Sequence, residues 1–472
     1  MTDHSPQHHS QPPSFRRQET QRLLNWVRHG ESALVVGVSG VGKSNLFRHL
    51  LDPAVQAAAL GQVAADTIIA RVNLHYAPDF SDRAVYSLIL DALEELADAG
   101  HPSLAGLERA RLGELHDRLL NVGDDTLQIQ RAARQALTLV LAGPQRRLSL
   151  LFDQFDDLYR DASPRLFMNL RGLREAFKYR LAFVFFTRDV LDNLAPPDPA
   201  RDELHELVAT QTMGLAAGDR AAAAELLSRV AARRGLAPGD LVIDRLFAAT
   251  GGHAGLLRAA YLSSENDLTG LRPLVRGSGP VEELAAALLN APSVERECRQ
   301  IWHGLSLDEQ SYLAALVNGT PPEPPPAAPL ANLRLKGLVV DAGAPHVFAP
   351  ILAAYVARQP AVWGDAFVYD KARRRVVVQG QTVALTPLEA RLLLPLWEQR
   401  DHLVTHDELI TAGWPNQVKD ISHDGSLKTQ ISRLRAKIEP DPDNPRYVVT
   451  VSGSGYRLAV PPPSASLSAT GR

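Results

Sequence analysis

The sequence predicts a multidomain chain: an α/β P-loop NTPase domain with a parallel sheet, a helical lid, and then two winged-helix domains. Three observations carry this. A short β-branched run, SALVVGV, stops at the glycines of GVSGVGKS (Gly37–Ser44), and a helical stretch, SNLFRHLL, follows. Three further apolar runs, TIIARVNL (67–74), RLSLLF (147–152) and RLAFVFF (180–186), are separated by long helical periodicity, the pattern of a parallel sheet covered on both faces. Beyond about residue 290, two stretches run from helices into a small hairpin.

In chain order, residues 1–14 are polar, His- and Pro-rich and lack an apolar core, so they are expected to form a flexible tail, neither signal peptide nor anchor. Residues 15–215 hold the nucleotide domain, entered through a helix over Arg16–Arg28. In 216–290 strand signals vanish and Ala- and Leu-rich helical patterns form the lid. The first winged helix spans 291–360: LSLDEQSYLAALVNG, an extended proline loop over 321–328, a helix bearing Arg334 and Lys336, and a hairpin turning at DAGAPH. After a boundary near Gln359–Gly364, the last domain occupies 361–460. Its short strands FVYD, RRRVVVQG and QTVAL precede three helices, PLEARLLLPLWEQ, HDELITAGW and SLKTQISRLRAKI, and the hairpin YVVTVSGSGYRLAV. Residues 461–472 are low-complexity, with disorder expected.

Composition narrows the function. Of 472 residues, 45% are hydrophobic and 22% charged, which excludes a wholly disordered chain. A net charge of -3 argues against a uniformly basic nucleic-acid coat protein, yet leaves room for a local basic helix. Cys298 is the only cysteine, so neither an internal disulfide nor a cysteine-based zinc site is available. No apolar run approaches the roughly 20 residues of a membrane span. A soluble, cytoplasmic protein with no membrane partner is expected.

The phosphate loop carries the first chemistry. Gly37, Gly42, Lys43 and Ser44 satisfy G-x-x-x-x-G-K-[ST]. Glycines, Gly40 among them, let backbone N–H groups wrap phosphates, Lys43 reaches the β- and γ-phosphates, and Ser44 ligates Mg²⁺ at the start of the helix that continues through Asn45. A second Mg²⁺ ligand is expected at the end of another strand, and LSLLFDQFDDL supplies Asp153 there. Gln154 stands where many P-loop ATPases have a glutamate that polarises water. Glutamine orients water but accepts no proton, so slow hydrolysis is expected, with Asp156 or Asp157 as substitutes. Thr187 and Arg188 end the strand of FVFFTRD, placed to report on a γ-phosphate. Gly251, Gly252 and His253 read as a glycine turn with a capping histidine rather than as a nucleotide ligand.

In their order, GVSGVGKS, LLFDQFDDL, FFTRD and ATGGHAGLLRAAY resemble the STAND class of signal-transducing ATPases, relatives of AAA+ and Orc-type ATPases, over roughly Phe15–Arg358. The resemblance implies ATP and Mg²⁺ as cofactors and a lid that responds to nucleotide. It also implies that the first winged helix packs against the nucleotide domain rather than touching DNA. The chain departs from the class at MGLAAGD (213–219), where those proteins often carry a proline.

The helix Ser426–Ile438 carries the second chemistry. Leu427, Ile431, Leu434 and Ile438 share one face, expected to be buried, while Thr429, Ser432, Arg433 and Ala436 lie opposite, flanked by Lys428 and Arg435. Small residues allow close approach to a major groove and the arginines reach phosphates or guanine edges. A four-strand start, LTPLEARLLLPL, the tryptophan of AGWP, ISRLRAKI and TVSGSGYRL together closely resemble the OmpR/PhoB-type winged-helix domain of response regulators, over about Asp365–Val460. That resemblance implies binding of double-stranded DNA through Arg433 and Arg435, helped by Lys428, Gln430 and Ser432, with Thr450, Tyr456 and Arg457 in or beside the wing. Ser452 stands where the family commonly has a minor-groove arginine, which shifts electrostatic work to Arg457 or Arg446.

Together these features predict an ATP-dependent transcriptional regulator whose nucleotide state governs DNA engagement, through lid closure or self-association into an oligomer. The rival is a DNA-stimulated, Orc-like ATPase acting in replication or defence. A third reading is a scaffold whose winged helix binds a protein such as RNA polymerase.

Overall fold

The computed structural model describes residues 11–12, 14–101, 104, 106–121, 125–195, 198–266, 270–359, 367–371, 373–378, 381–414, 422–439, 441–442, 444–451 and 453–459. The expected tails (save Gln11, Pro12 and Ser14), most of the boundary at 359–364, and Ser452 lie outside them. The chain divides into two compact units, one comprising Met1–Leu191, Pro197–Gly304 and Leu330–Tyr355, the other Asp192–Pro196, Leu305–Pro329 and Val356–Arg472.

The first unit is built on five parallel strands, β1 (Ala33–Val36), β2 (Thr67–Val72), β3 (Arg147–Phe152), β4 (Leu181–Thr187) and β5 (Thr212–Gly214), in the order β2-β3-β4-β1-β5. All four residues of β1 and all seven of β4 are buried, as near-continuous apolar runs must be when helices cover both faces of a parallel sheet. Register fixes the site. Val36 pairs with Thr187 of β4 and Gly214 of β5, so the loop leaving β1 emerges between the C-terminal ends of its neighbours. β5 escapes sequence reasoning because three residues are too short to show a period. Gly214 there is required by close approach: an added Cβ would lie 1.7 Å from the carbonyl oxygen of Leu335.

From Arg220 to Leu288 the described residues hold five helices and no strand, matching the helical region expected. Asp219 and His253 accept N–H bonds as N-caps of the helices Arg220–Ala232 and Ala254–Ser264. The next elements appear in the expected order: helices Pro292–His303, Leu307–Val317 and Ala327–Leu335, then the hairpin β6 (Val339–Ala342) and β7 (Ala344–Val347). They do not stand apart as one unit, because Leu305–Pro329 belongs to the second unit and their flanks to the first. The proline loop also ends sooner than 328, since Ala327 and Ala328 already belong to a helix.

Lys336 does not face solvent. Its ammonium, fully buried, lies 2.5 Å from Asp189 just beyond β4. Breaking a buried pair strands one charge, so Lys336→Ala should cost about 3–5 kcal/mol, whereas Lys336→Met with Asp189→Leu should recover much of it. Denaturant unfolding of the wild-type protein and the two variants checks this, and equal midpoints for the single and double variants would contradict it.

In the second unit, β8 (Val368–Asp370), β9 (Arg375–Val378) and β10 (Gln381–Ala384) form an antiparallel sheet in the order β10-β9-β8. Three strands, not four, precede the first helix among the described residues. Helices Pro387–Glu398, His406–Gly413 and Ser422–Ile438 follow, and β11 (Val404–Thr405), β12 (Val448–Val451) and β13 (Gly455–Leu458) close a second sheet in the order β11-β13-β12. Leu427, Ile431, Leu434 and Ile438 are each at most 1% exposed and enter a core with Leu392, Leu396, Tyr447 and Leu458. The string LTPLE starts its helix by a capping box between Thr386 and Glu389, with proline at the first helical position.

Candidate nucleotide site and nucleic-acid interface

The loop from Gly37 to Gly42 links β1 to the helix Lys43–Leu50. Gly40 and Gly42 have φ of 76° and 111°, values that favour glycine. At Gly40 the space is closed as well, since a Cβ would lie 2.7 Å from a Glu297 oxygen and 2.9 Å from the His253 ring. Gly37 donates to the Thr187 carbonyl at 3.0 Å, tying the loop's start to the end of β4. Lys43 folds back over the loop, donating to the carbonyls of Gly37 and, at 3.1 Å, Val38. Burial pushes its ammonium down to about 8, Asp156 and Asp153 opposing that shift and Arg188 adding to it. Ser44 is exposed at the helix start, and Asn45 is held by Arg48 at 2.7 Å.

Asp153 follows β3 directly, and one of its carboxylate oxygens is buried without a hydrogen-bond partner. The Thr187 hydroxyl at the end of β4 is in the same condition. Buried polar atoms of this kind normally have partners, and these two lie at the carboxyl ends of neighbouring strands, where open α/β sheets bind ligands. This donor set fits a nucleotide with Mg²⁺. Gln154 adopts φ 57°, strained for a residue with a side chain, and its amide lies 2.7 Å from the His75 ring. Asp156 is 1% exposed, accepts the Arg188 backbone N–H at 2.7 Å and lies 3.6 Å from the Arg188 guanidinium. Burial raises its carboxyl although these contacts oppose the rise. Asp156 therefore ties β3 to β4, and Arg188 is held between it and Asp157, 3.9 Å away.

Sequence reasoning missed what grips the loop from outside. His253 caps its helix, as read, but its Nε2–H also donates to the Ser39 carbonyl at 3.0 Å while Nδ1 accepts the Leu256 N–H. Burial drives this imidazole down to about 4, despite the Ser39 bond, so it is neutral with its tautomer fixed. The Gly255 N–H donates to the Gly40 carbonyl at 3.0 Å, and the Ser39 hydroxyl donates to Gln300 at 3.2 Å. Arg16 bonds the carbonyls of Val41 and Ala216, both at 2.9 Å. The histidine cap was a visible signal; its target was not.

On the helix Ser422–Ile438, Lys428, Ser432 and Arg433 are exposed and Gln430 half-buried, all clear of the buried face. Arg435 is otherwise engaged: its guanidinium donates to the Val448 carbonyl at 2.9 Å and the Thr450 hydroxyl at 2.7 Å, and lies over the Tyr456 ring. It braces the helix against the hairpin, and Thr450 is its partner. Lys437 turns to Glu389 at 2.7 Å. Burial alone would raise that carboxyl, but Lys437 and Thr386 hold it below the usual range. Glu439, unremarked in the sequence, accepts the backbone N–H groups of Arg446, Tyr447 and Val448 and so sets the start of β12. Arg457, on β13, and Arg446 are exposed.

Comparison with known proteins matches one stretch in each unit. The family model described as "AAA ATPase domain" matches residues 13–185, and "Transcriptional regulatory protein, C terminal" matches 380–458. The chain thus joins an AAA ATPase domain to a C-terminal DNA-binding domain of the OmpR/PhoB type. It is 36% identical over 106 residues to the transcriptional regulatory protein KdpE of Mycobacterium tuberculosis, covering 22% of this chain and 46% of that one. To the DNA-binding response regulator MtrA of Mycolicibacterium smegmatis it is 36% identical over 98 residues, 21% and 42% of the two chains. It spans less than half the length of these curated relatives. Among solved structures, it is similar to a Walker-type ATPase of Pyrococcus abyssi (14% identity, TM-score 0.43, 72% of this chain and 95% of that one). It is also similar to the DNA-binding domain of CpxR from E. coli (27%, TM-score 0.18, 20% and 91%). No helix among the described residues is long and apolar enough to cross a membrane.

Proposed function

We propose that this chain is a transcriptional regulator in which ATP, held with Mg²⁺ at the phosphate loop, governs how the C-terminal domain engages double-stranded DNA. The observation that carries the proposal is the grip on the loop by the helical region, through His253 and Gly255, and by the helix Pro292–His303, through Gln300. A loop bonded this way cannot reshape around phosphates without loading those bonds, so nucleotide binding and the arrangement of the helical region are energetically linked.

In this mechanism the loop glycines Gly37, Gly40 and Gly42 would admit the phosphates, Lys43 would release the carbonyls of Gly37 and Val38 to pair with them, and Ser44 and Asp153 would hold the metal. Bound Mg²⁺ would neutralise phosphate charge. Asn45 and Arg48 steady the first turn of the helix. Gln154, braced by His75, orients water without accepting its proton; Asp156 serves catalysis by fixing Arg188 rather than as a base, so turnover is slow. On the DNA side, Arg433 and Lys428 meet bases and phosphates with Gln430 and Ser432 beside them, Arg457 supplies the wing's charge, and Arg435 with Thr450 keeps the wing in register. Nucleotide-dependent self-association would align several such readers on repeated half-sites, raising affinity without new contacts.

The test is selection of genomic fragments by the full-length protein with ATP or with ADP at one fixed salt concentration. Enrichment of specific fragments that needs ATP supports the proposal. Equal enrichment in both would overturn nucleotide control of DNA engagement and move it to a later step such as contact with RNA polymerase. Brisk, DNA-stimulated turnover would instead favour an ATPase that remodels partners on DNA.

A further inference from the structure

A cavity of about 780 Å³ opens in the first unit, away from the phosphate loop. Three helices wall it, Asp82–Asp98, Thr126–Val140 and Pro164–Phe177. Its volume lies within the usual range for ligand pockets. Three features of its lining select a ligand.

The first is charge. Arg131 and Arg134, one helical turn apart, are both exposed on this wall, and neither guanidinium has a carboxylate partner among the described residues. No Asp or Glu lines the cavity, and Asp82, behind it, is bonded to Asn169 at 3.1 Å. The second is apolar surface. Leu127 and Met168 are 76% and 50% exposed, far more than large apolar side chains need be, and Leu173 lies beside them. The third is Tyr86, itself 1% exposed, whose hydroxyl is buried without a hydrogen-bond partner. Burial, and then the Asp82 charge, push this phenol up, so it stays a neutral O–H donor. A buried donor left unmet costs about 1–3 kcal/mol, and within a cavity a ligand acceptor can meet it.

We propose that this cavity binds a small amphiphilic anion, an organic acid with an apolar body. Its acidic group pairs with Arg131 and Arg134, its body covers Leu127, Met168 and Leu173, and an acceptor on it takes the Tyr86 hydroxyl. Two unpaired guanidiniums favour a planar acidic group such as a carboxylate over a neutral or cationic one. The site needs no nucleotide, so it stands or falls independently of the function proposed above.

The test uses the full-length protein without nucleotide and anilinonaphthalene sulfonate as a fluorescent probe, displaced in turn by octanoate, octanol and octylamine. The expected result is saturable probe binding displaced by octanoate and not by the other two at equal concentration. Arg131→Gln with Arg134→Gln should weaken octanoate about tenfold or more with the unfolding temperature unchanged, because both residues are exposed and unpaired. Tyr86→Phe should weaken the ligand about threefold or more while leaving the protein as stable as before or more so, since the lost hydroxyl had no partner. Failure of the wild-type protein to bind the probe would overturn the proposal. So would equal displacement by all three competitors, or unchanged octanoate affinity in the arginine double variant.

Discussion

Lys43→Met is expected to abolish the rise in unfolding temperature that Mg²⁺ and ATP produce in the wild-type protein, and to leave the nucleotide-free protein folded. Lys43 spends its protons on two loop carbonyls at a burial cost large enough to lower its own pKa to about 8, so a methionine of similar length removes a charge the fold is not using for stability. A phosphate group, by contrast, loses a charge-assisted bond worth about 1.5–3 kcal/mol, and more where several oxygens share it. Affinity should fall about 100-fold or more. At a nucleotide concentration near 100 times the wild-type Kd, the wild-type protein gains about 2.7 kcal/mol and the variant about 0.4 kcal/mol or less. Thermal unfolding of both proteins with and without Mg²⁺-ATP reads this directly. A variant that keeps the full shift would remove Lys43 from the site.

Two arginines two residues apart should fail in different ways. Arg433→Ala removes an exposed cation with no role in the core, so DNA affinity should fall about 5- to 150-fold, the equivalent of 1–3 kcal/mol, with the unfolding temperature unchanged. Arg435→Ala removes the bonds to Val448 and Thr450 that hold the hairpin. It should cost the C-terminal unit about 1.5–3 kcal/mol of stability, and weaken DNA binding through a loosened wing. Fluorescence anisotropy on a selected fragment, paired with thermal unfolding of each variant, separates the two. If Arg435→Ala lost DNA binding at unchanged stability, Arg435 would be a direct contact after all.

The parts of this molecule legible in the sequence are those written by neighbours in the chain. The strand, glycine loop and helix around Lys43 follow from β-branched residues, glycines and helical spacing within about twenty positions. The apolar face of Leu427, Ile431, Leu434 and Ile438 follows from helical period alone, and the capping box at Thr386 from a five-residue string. Strand β5 was hidden because Thr212–Gly214 has no period of its own; only pairing with β1 makes it a strand. The side chains of Asp156 and Arg435 were visible as acid and base, but their work was not, because it depends on which backbone groups packing brings within reach.

By itself, the sequence determined that this chain would hold a phosphate loop on a parallel sheet and a basic helix before a hairpin, since local stereochemistry and hydrophobic periodicity suffice for both. Only tertiary structure decided that His253 would close on Ser39, 214 positions away, that Lys336 would be buried against Asp189, and that Arg435 would hold a wing. Such pairings form when burial of apolar faces brings distant segments together, and a buried polar group must then take whatever partner that packing supplies.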